Sequence, residues 1–300
     1  MARELRDLYD SESRLTGKTY YKGDPIPKGF HPMVVMTAIQ NSKGEFLMQK
    51  RVPSKGGDWG ITGGHPKAGE TPIQGMITEV KEELGIDTKA EDFELFCSGC
   101  DGRDCYQMFY MKRDLDITKL NIQLEELTEV RWFSIGELQE MVKTKELNPN
   151  QVDFFEKCMI YLKHGRNYYM RHEFPTNEEF LMLFNSVGWD RTIQKIEENR
   201  NNTCFAVSAY VDGKIVGMGR VVGDGSYFTI YDLVVEKSHQ GKGCAQMIIL
   251  DILDWYYQFK NDDTFLYVNA SKGKEKFYEK FGFRSRPNDD VGAGMKWYEK

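Results

Sequence analysis

Glu79, Glu82 and Glu83 stand three and four residues apart in a run of helical periodicity, with Glu70 shortly before them and Gly64 and Gly85 bracketing the stretch. Offsets of three and four put the three acids on one helical face, where like charges repel one another. Such crowding is either a solvated acidic face or a place for a cation. Carboxylate oxygens suit hard ions such as Mg²⁺ or Mn²⁺, which also hold substrate phosphates. A second group lies far along the chain, where residues 238–245 read Ser-His-Gln-Gly-Lys-Gly-Cys-Ala. Backbone N–H groups at a helix start, uncluttered at the glycines, suit a pyrophosphate. Downstream of it, Tyr278 is either a packed aromatic or a phenol able to donate a proton.

These groups need elements to hold them. Thr71-Pro72 reads as a helix start, a hydroxyl cap followed by proline, and Gly85 as its stop. Residues 1–30 read as a strand-and-turn lead-in, and 33–39 with 46–51 as a hairpin about Asn41-Ser42-Lys43-Gly44. Strands are expected at 93–97, 106–112 and 130–133, and helices at 135–142 and 149–163. The pattern restarts after His164-Gly165-Arg166-Asn167, dividing the chain into domains 1–163 and 164–300. In the second, helices are expected at 177–186 and 192–200 and strands at 205–210, 214–222 and 227–235. The glycine turn then leads into a helix at 244–259, a strand at 265–269, a helix at 274–281 and an extended segment to 300. Strands alternate with helices in both halves, so the fold class is α/β and α+β in two domains.

Composition narrows the partners. With 300 residues, 40% hydrophobic and 29% charged, each half can bury a core. The net charge of −6 argues against a nucleic-acid surface spread over the molecule. No apolar run nears the roughly 18 residues of a membrane span, and the first residues lack a signal-peptide core. The expectation is a cytoplasmic protein acting on small molecules, without nucleic acid or membrane partners. Six scattered cysteines then default to free thiols. A zinc reading of Cys97, Cys100 and Cys105 lacks a second pair.

The stretch Gly64, Glu70, Thr78-Glu79-Val80-Lys81-Glu82-Glu83-Leu84-Gly85-Ile86 resembles the Nudix hydrolase box at every fixed position but one, where Thr78 stands for an arginine. The resemblance spans about residues 1–160 and implies an α/β/α sandwich that hydrolyses a diphosphate bond with Mg²⁺. By motif position Glu82 and Glu83 would be metal ligands, and Glu79 a ligand or the base that orients water. Glu125, Glu126 and Glu129 are candidates for a further carboxylate. The family's arginine would hold its neighbouring glutamate, a task Lys81 could take over; otherwise the half would bind a nucleotide as a sensor without hydrolysing it. Asp7-Leu8-Tyr9-Asp10, Gly29-Phe30-His31 and Gly64-His65-Pro66 are similar to the isopentenyl-diphosphate isomerase branch, but Gly63 stands where that enzyme needs a cysteine. His31 and His65 match its metal histidines, or are hydrogen-bonded loop residues.

Gln240, Gly243 and Ala245, with the strand before them and Phe277-Tyr278-Glu279-Lys280-Phe281-Gly282-Phe283 after, resemble the GNAT acetyltransferases over about residues 166–300. The resemblance implies a mixed-sheet acyltransferase fold with the pyrophosphate of acetyl-CoA on Gly241, Lys242, Gly243, Cys244 and Ala245. The pantetheine arm would pair with Leu233, Val234 and Val235, and Tyr278 would protonate the leaving thiolate. Asp232 or Glu236 could deprotonate a small amine. Cys244 reads as the small-residue slot of the turn. A bifunctional hydrolase and N-acetyltransferase is the resulting expectation.

Overall fold

The computed structural model describes residues 3–295. The strands of the first half are β1 (Leu5–Tyr9), β2 (Leu15–Tyr21), β3 (Met33–Gln40), β4 (Phe46–Arg51), β5 (Trp59–Gly60), β6 (Thr62–Gly64), β7 (Glu94–Cys100), β8 (Cys105–Lys112) and β9 (Leu127–Phe133). The second half adds β10 (Tyr168–Arg171), β11 (Phe205–Val211), β12 (Lys214–Gly223), β13 (Tyr227–Val235) and β14 (Phe265–Val268). The helices are α1 (Pro72–Leu84), α2 (Ile135–Thr144), α3 (Val152–His164), α4 (Asn177–Ser186), α5 (Ile193–Asn201), α6 (Cys244–Tyr257) and α7 (Glu275–Glu279).

Apart from the β1–β2 ribbon, all strands join one mixed sheet ordered β14-β13-β12-β11-β10-β7-β8-β3-β4-β5, with β6 on β3 and β9 on β4. The two domains meet within it: β10 runs parallel to β7, Tyr168 opposite Cys97 and Arg171 opposite Cys100. On one face a single core runs through both domains, with Phe154 and Cys158 of α3 packed in the same cluster as Met247 and Ile248 of α6. The other face carries two separate cores, one under α1 (Met76, Val80, Leu84) and one under α4 and α5 (Phe180, Phe184, Ile196). Helices thus cover both faces, and the fold is the expected mixed α/β arrangement of two domains.

Three readings need correction. The hairpin between 33–39 and 46–51 is not formed as a ladder: β3 and β4 share only the pair Gln40–Phe46. Residues 33–40 instead lie parallel to β8 over their whole length, which explains their near-continuous apolar character, since a parallel central strand is buried on both faces. The cysteines are not all free, because Cys100 and Cys105 face each other across β7 and β8 and form a disulfide. Cys97 points into the opposite core from Cys100, so strand alternation separates the two sulfurs of the zinc reading. Finally, the expected extended segment after residue 281 forms no strand among the described residues, and its end at 296–300 lies outside them.

Candidate functional site

Helix α1 begins as its sequence dictates. Thr71 and Gln74 form a capping box with Pro72 in the first turn, and Gly85 ends the helix in the left-handed region at φ 72°. Met76, Val80 and Leu84 seat the helix on the sheet. That seating divides the three acids: Glu83 is 6% exposed and Glu79 is partly buried, while Glu82 faces solvent. Gln49 of β4 donates to Glu83 Oε2 at 2.8 Å. Glu79 lies against Gly64, where a Cβ would strike its carboxylate, so the box glycine is there to admit the acid. The Glu79 carboxylate makes no hydrogen bond or ion pair with another described residue.

Burial, then the charge of Glu82, pushes the Glu79 carboxyl up to about 7. Burial, with Glu79 and Glu126 adding and Gln49 opposing, pushes Glu83 up to about 8. Two buried carboxyls side by side without a cation are an unfavourable arrangement by themselves, and their oxygens are the donor set a hard divalent ion takes. The donor chemistry of these residues suits such an ion. As the side chains stand, no three acidic, histidine or cysteine side chains among the described residues enclose one; Glu82 is drawn instead to Lys67 at 2.6 Å.

Thr78, the departure from the box, donates to Glu70 Oε1 at 2.8 Å, and the Lys67 N–H donates to Glu70 Oε2 at 2.8 Å. The cation near the acids is therefore Lys67, because Lys81 turns away to Asp87 at 2.7 Å. Among the three later glutamates, Glu126 is the one whose charge bears on both Glu79 and Glu83, and it is paired with Lys55 at 2.5 Å. His31 is a hydrogen-bonded loop residue, its Nδ1 3.3 Å from Arg103 O. His65 follows Gly64, and burial together with Arg6 lowers its imidazole to about 4.

In the second half, β13 bulges at Asp232, which has φ 50°. Strand β14 accompanies β13 only from Tyr227 to Ile230. Beyond the bulge, the edge of Leu233, Val234 and Val235 toward β14 has no partner strand among the described residues. Gln240 turns back to donate to Val235 O at 2.8 Å. Gly241 and Gly243 then take left-handed conformations, φ 71° and 89°, that carry Lys242 and the chain into the start of α6 at Cys244 and Ala245. The Cys244 thiol is buried, facing the bare backbone of Gly217, and burial raises it far above its ordinary range, so it fills space. Asp232 is bound to Arg220 at 2.5 Å and Glu236 to Ser238, and neither is free as it stands. Tyr278 is half-buried beside Phe277 and Phe283, and burial raises its phenol, which keeps the proton available.

Tyr168 is a residue that motif reading missed. Its hydroxyl donates to Lys242 O at 2.8 Å, tying the glycine turn to β10. Gly243 backs onto Ile160 and His164 of α3, where any Cβ would collide.

Residues 29–158 match the NUDIX domain and residues 176–299 the acetyltransferase (GNAT) domain. An uncharacterised Nudix hydrolase of Listeria monocytogenes is 32% identical over 168 residues, covering 53% of this chain and 95% of that protein. An uncharacterised N-acetyltransferase of Gracilaria tenuistipitata is 28% identical over 123 residues, covering 39% of this chain and 65% of that one. A probable acetyltransferase of unknown function from Staphylococcus aureus, of solved structure, shares 30% identity over 43% of this chain and 99% of its own, with a TM-score of 0.39. The chain belongs to the Nudix hydrolase family and carries a GNAT acetyltransferase domain behind the Nudix domain.

Proposed function

We propose that the first half hydrolyses the diphosphate bond of a nucleoside-diphosphate-type compound and that the second transfers an acetyl group from acetyl-CoA to a small amine. The observation that supports the first activity is that α1 turns Glu79, set against Gly64, and the buried Glu83 into the protein beside the exposed Glu82. A Mg²⁺ or Mn²⁺ bound by Glu79, Glu82 and Glu83, with Glu126 as the further carboxylate, supplies polarisation of a phosphoryl oxygen and a water of lowered pKa. Glu79 also orients that water. Thr78 and the Lys67 backbone fix Glu70, and the Lys67 ammonium fixes Glu82, so the missing arginine is compensated. Isomerase chemistry is disfavoured by more than the absent thiol, since a Cβ at Gly63 would lie 2.7 Å from Val35 O.

For the second activity, the unpaired edge of Leu233–Val235 and the turn from Gln240 to Ala245 accept acetyl-CoA, and Tyr278 gives its proton to the departing thiolate. The deciding experiment is phosphate release from a panel of nucleoside diphosphate derivatives, CoA included, with and without Mg²⁺, for wild type and Glu82→Gln. Mg²⁺-dependent turnover lost in the variant is the expected result. No turnover by the wild type would leave the first half a nucleotide-sensing module. In parallel, Tyr278→Phe should lower kcat for acetyl transfer by about 10²- to 10⁴-fold at little change in KM for acetyl-CoA.

A further inference from the structure

The β1–β2 ribbon contributes nothing to the box, yet it lies along it. Leu5 O accepts from the Ala68 N–H at 2.8 Å, and Asp7 Oδ2 from the Gly69 N–H at 2.7 Å. Strand β1 is thereby laid against the loop between Gly64 and Glu70. Register places Tyr20 opposite Arg6, and the Lys22 N–H donates to Glu4 O at 2.9 Å, so Glu4, Arg6, Tyr20 and Lys22 gather at one end of the ribbon. His65 lies within reach of the Arg6 and Lys22 charges, and Glu79 within reach of Glu4 and Lys67.

Arg6 is the unusual member. It is 8% exposed, although a buried guanidinium is costly unless its donors are met. Its Nε donates to Glu4 Oε1 at 2.6 Å, which leaves the two terminal nitrogens of the guanidinium without an acceptor from a side chain among the described residues. Lys22 is exposed and Lys67 reaches Glu82, so Lys67 stands at the box acids while Arg6 and Lys22 stand on the ribbon laid against the same loop. That is a local reversal in a half that is otherwise acidic, with 22 basic against 27 acidic residues up to residue 165.

We propose that Arg6, Lys22 and Lys67 form the anion-binding wall of the Nudix pocket, receiving the phosphoryl oxygens that point away from α1, with Glu4 and Glu82 holding these cations in register. The assignment rests on the reading that this half binds a diphosphate. The planar guanidinium of Arg6 grips a phosphoryl group with two parallel hydrogen bonds, and the lysines add charge.

The test is calorimetric titration of the full chain with inorganic pyrophosphate in EDTA, followed by KM and kcat on whichever diphosphate the panel identifies. Lys22→Gln and Arg6→Gln should each weaken pyrophosphate binding about 10-fold, reduce its salt dependence, and raise KM with kcat within about twofold. Arg6→Lys should fall between. Lys18→Gln, on the same ribbon with its ammonium 4.0 Å from the Phe30 ring centre, should match wild type. Arg6→Gln could unfold the ribbon, so the exposed Lys22→Gln variant decides with its melting temperature unchanged. Wild-type affinity and KM in Lys22→Gln and Arg6→Gln would overturn the assignment, as would wild-type protein that fails to bind pyrophosphate. Pyrophosphate binding through Arg6 and Lys22 without any hydrolysis would sink the hydrolase reading alone. Glu82-dependent hydrolysis indifferent to both cations would sink this wall alone.

Discussion

At the scale of single residues, the weight of the first site falls on the two acids that the fold removes from water. Glu79 and Glu83 have carboxyls at about 7 and about 8, raised above 4.5 by burial first. A folded-state pKa above the unfolded one gives stability that is complete below about pH 4.5 and lost as pH rises through 7 and 8. Metal-free protein should therefore melt at progressively lower temperature from about pH 5 to pH 8.5. Mg²⁺ should raise the melting temperature more at pH 8 than at pH 6, because its ligands must be ionised. Thermal melts in EDTA and in Mg²⁺ read this directly, and Glu83→Gln should flatten the EDTA series. A flat series in the wild type would contradict it. The acids themselves were legible because Gly64, Glu70, Glu82 and Gly85 lie within one short stretch of chain. That Lys67 and not Lys81 is the cation paired with one of these acids was not. Lys81 is adjacent in sequence but its helical direction takes it to Asp87, whereas Lys67 comes from the preceding loop. Which of Glu125, Glu126 and Glu129 bears on Glu79 and Glu83 was equally hidden, since it depends on how residues 123–127 turn into β9.

At the scale of elements, capped and strongly patterned segments were legible, α1 and the strands β4 and β13 falling at their expected places. The four-residue strand β10 was not, because Tyr168–Arg171 is too short to show a period and follows a glycine that reads as a boundary. It is nonetheless the strand on which the second site leans. Tyr168 holds the turn by donating to Lys242 O at 2.8 Å, fixing that carbonyl just before the start of α6. Removing that hydroxyl costs about 1 kcal/mol of turn ordering. Tyr168→Phe should thus raise KM for acetyl-CoA about 5-fold with kcat for acetyl transfer nearly unchanged, while Mg²⁺-dependent diphosphate hydrolysis stays at the wild-type level. Steady-state kinetics of both reactions check it. An equal fall in kcat for acetyl transfer would mean that Tyr168 acts on the chemistry and not on the turn.

At the scale of the whole molecule, the two family matches end at residue 158 and begin at residue 176, yet the fold does not part between them. The β7–β10 pairing makes the sheet continuous, and the core beneath α3 and α6 belongs to both halves. A buried ionic cluster closes the seam. Lys157 of α3, 2% exposed, lies 2.5 Å from Asp251 of α6 and 2.7 Å from Asp153, and His172 Nε2 is 3.1 Å from Asp251. The Lys157 charge holds Asp251 down at about 2 despite burial, so its carboxylate stays ionised at neutral pH. Deleting one partner leaves the other charge buried and unpaired, which costs about 3–5 kcal/mol, whereas replacing both by apolar groups is often nearly neutral. Lys157→Ala should accordingly lower the single melting transition of the full chain, and Lys157→Met with Asp251→Leu should recover most of the loss. Calorimetry shows whether one transition moves as a unit. Two separate transitions, with only one displaced by Lys157→Ala, would mean that the halves fold independently and that the seam merely docks them. With one transition, any substitution that destabilises the Nudix half also depletes active acetyltransferase, so the kinetics of either site have to be referred to the folded fraction of the whole chain.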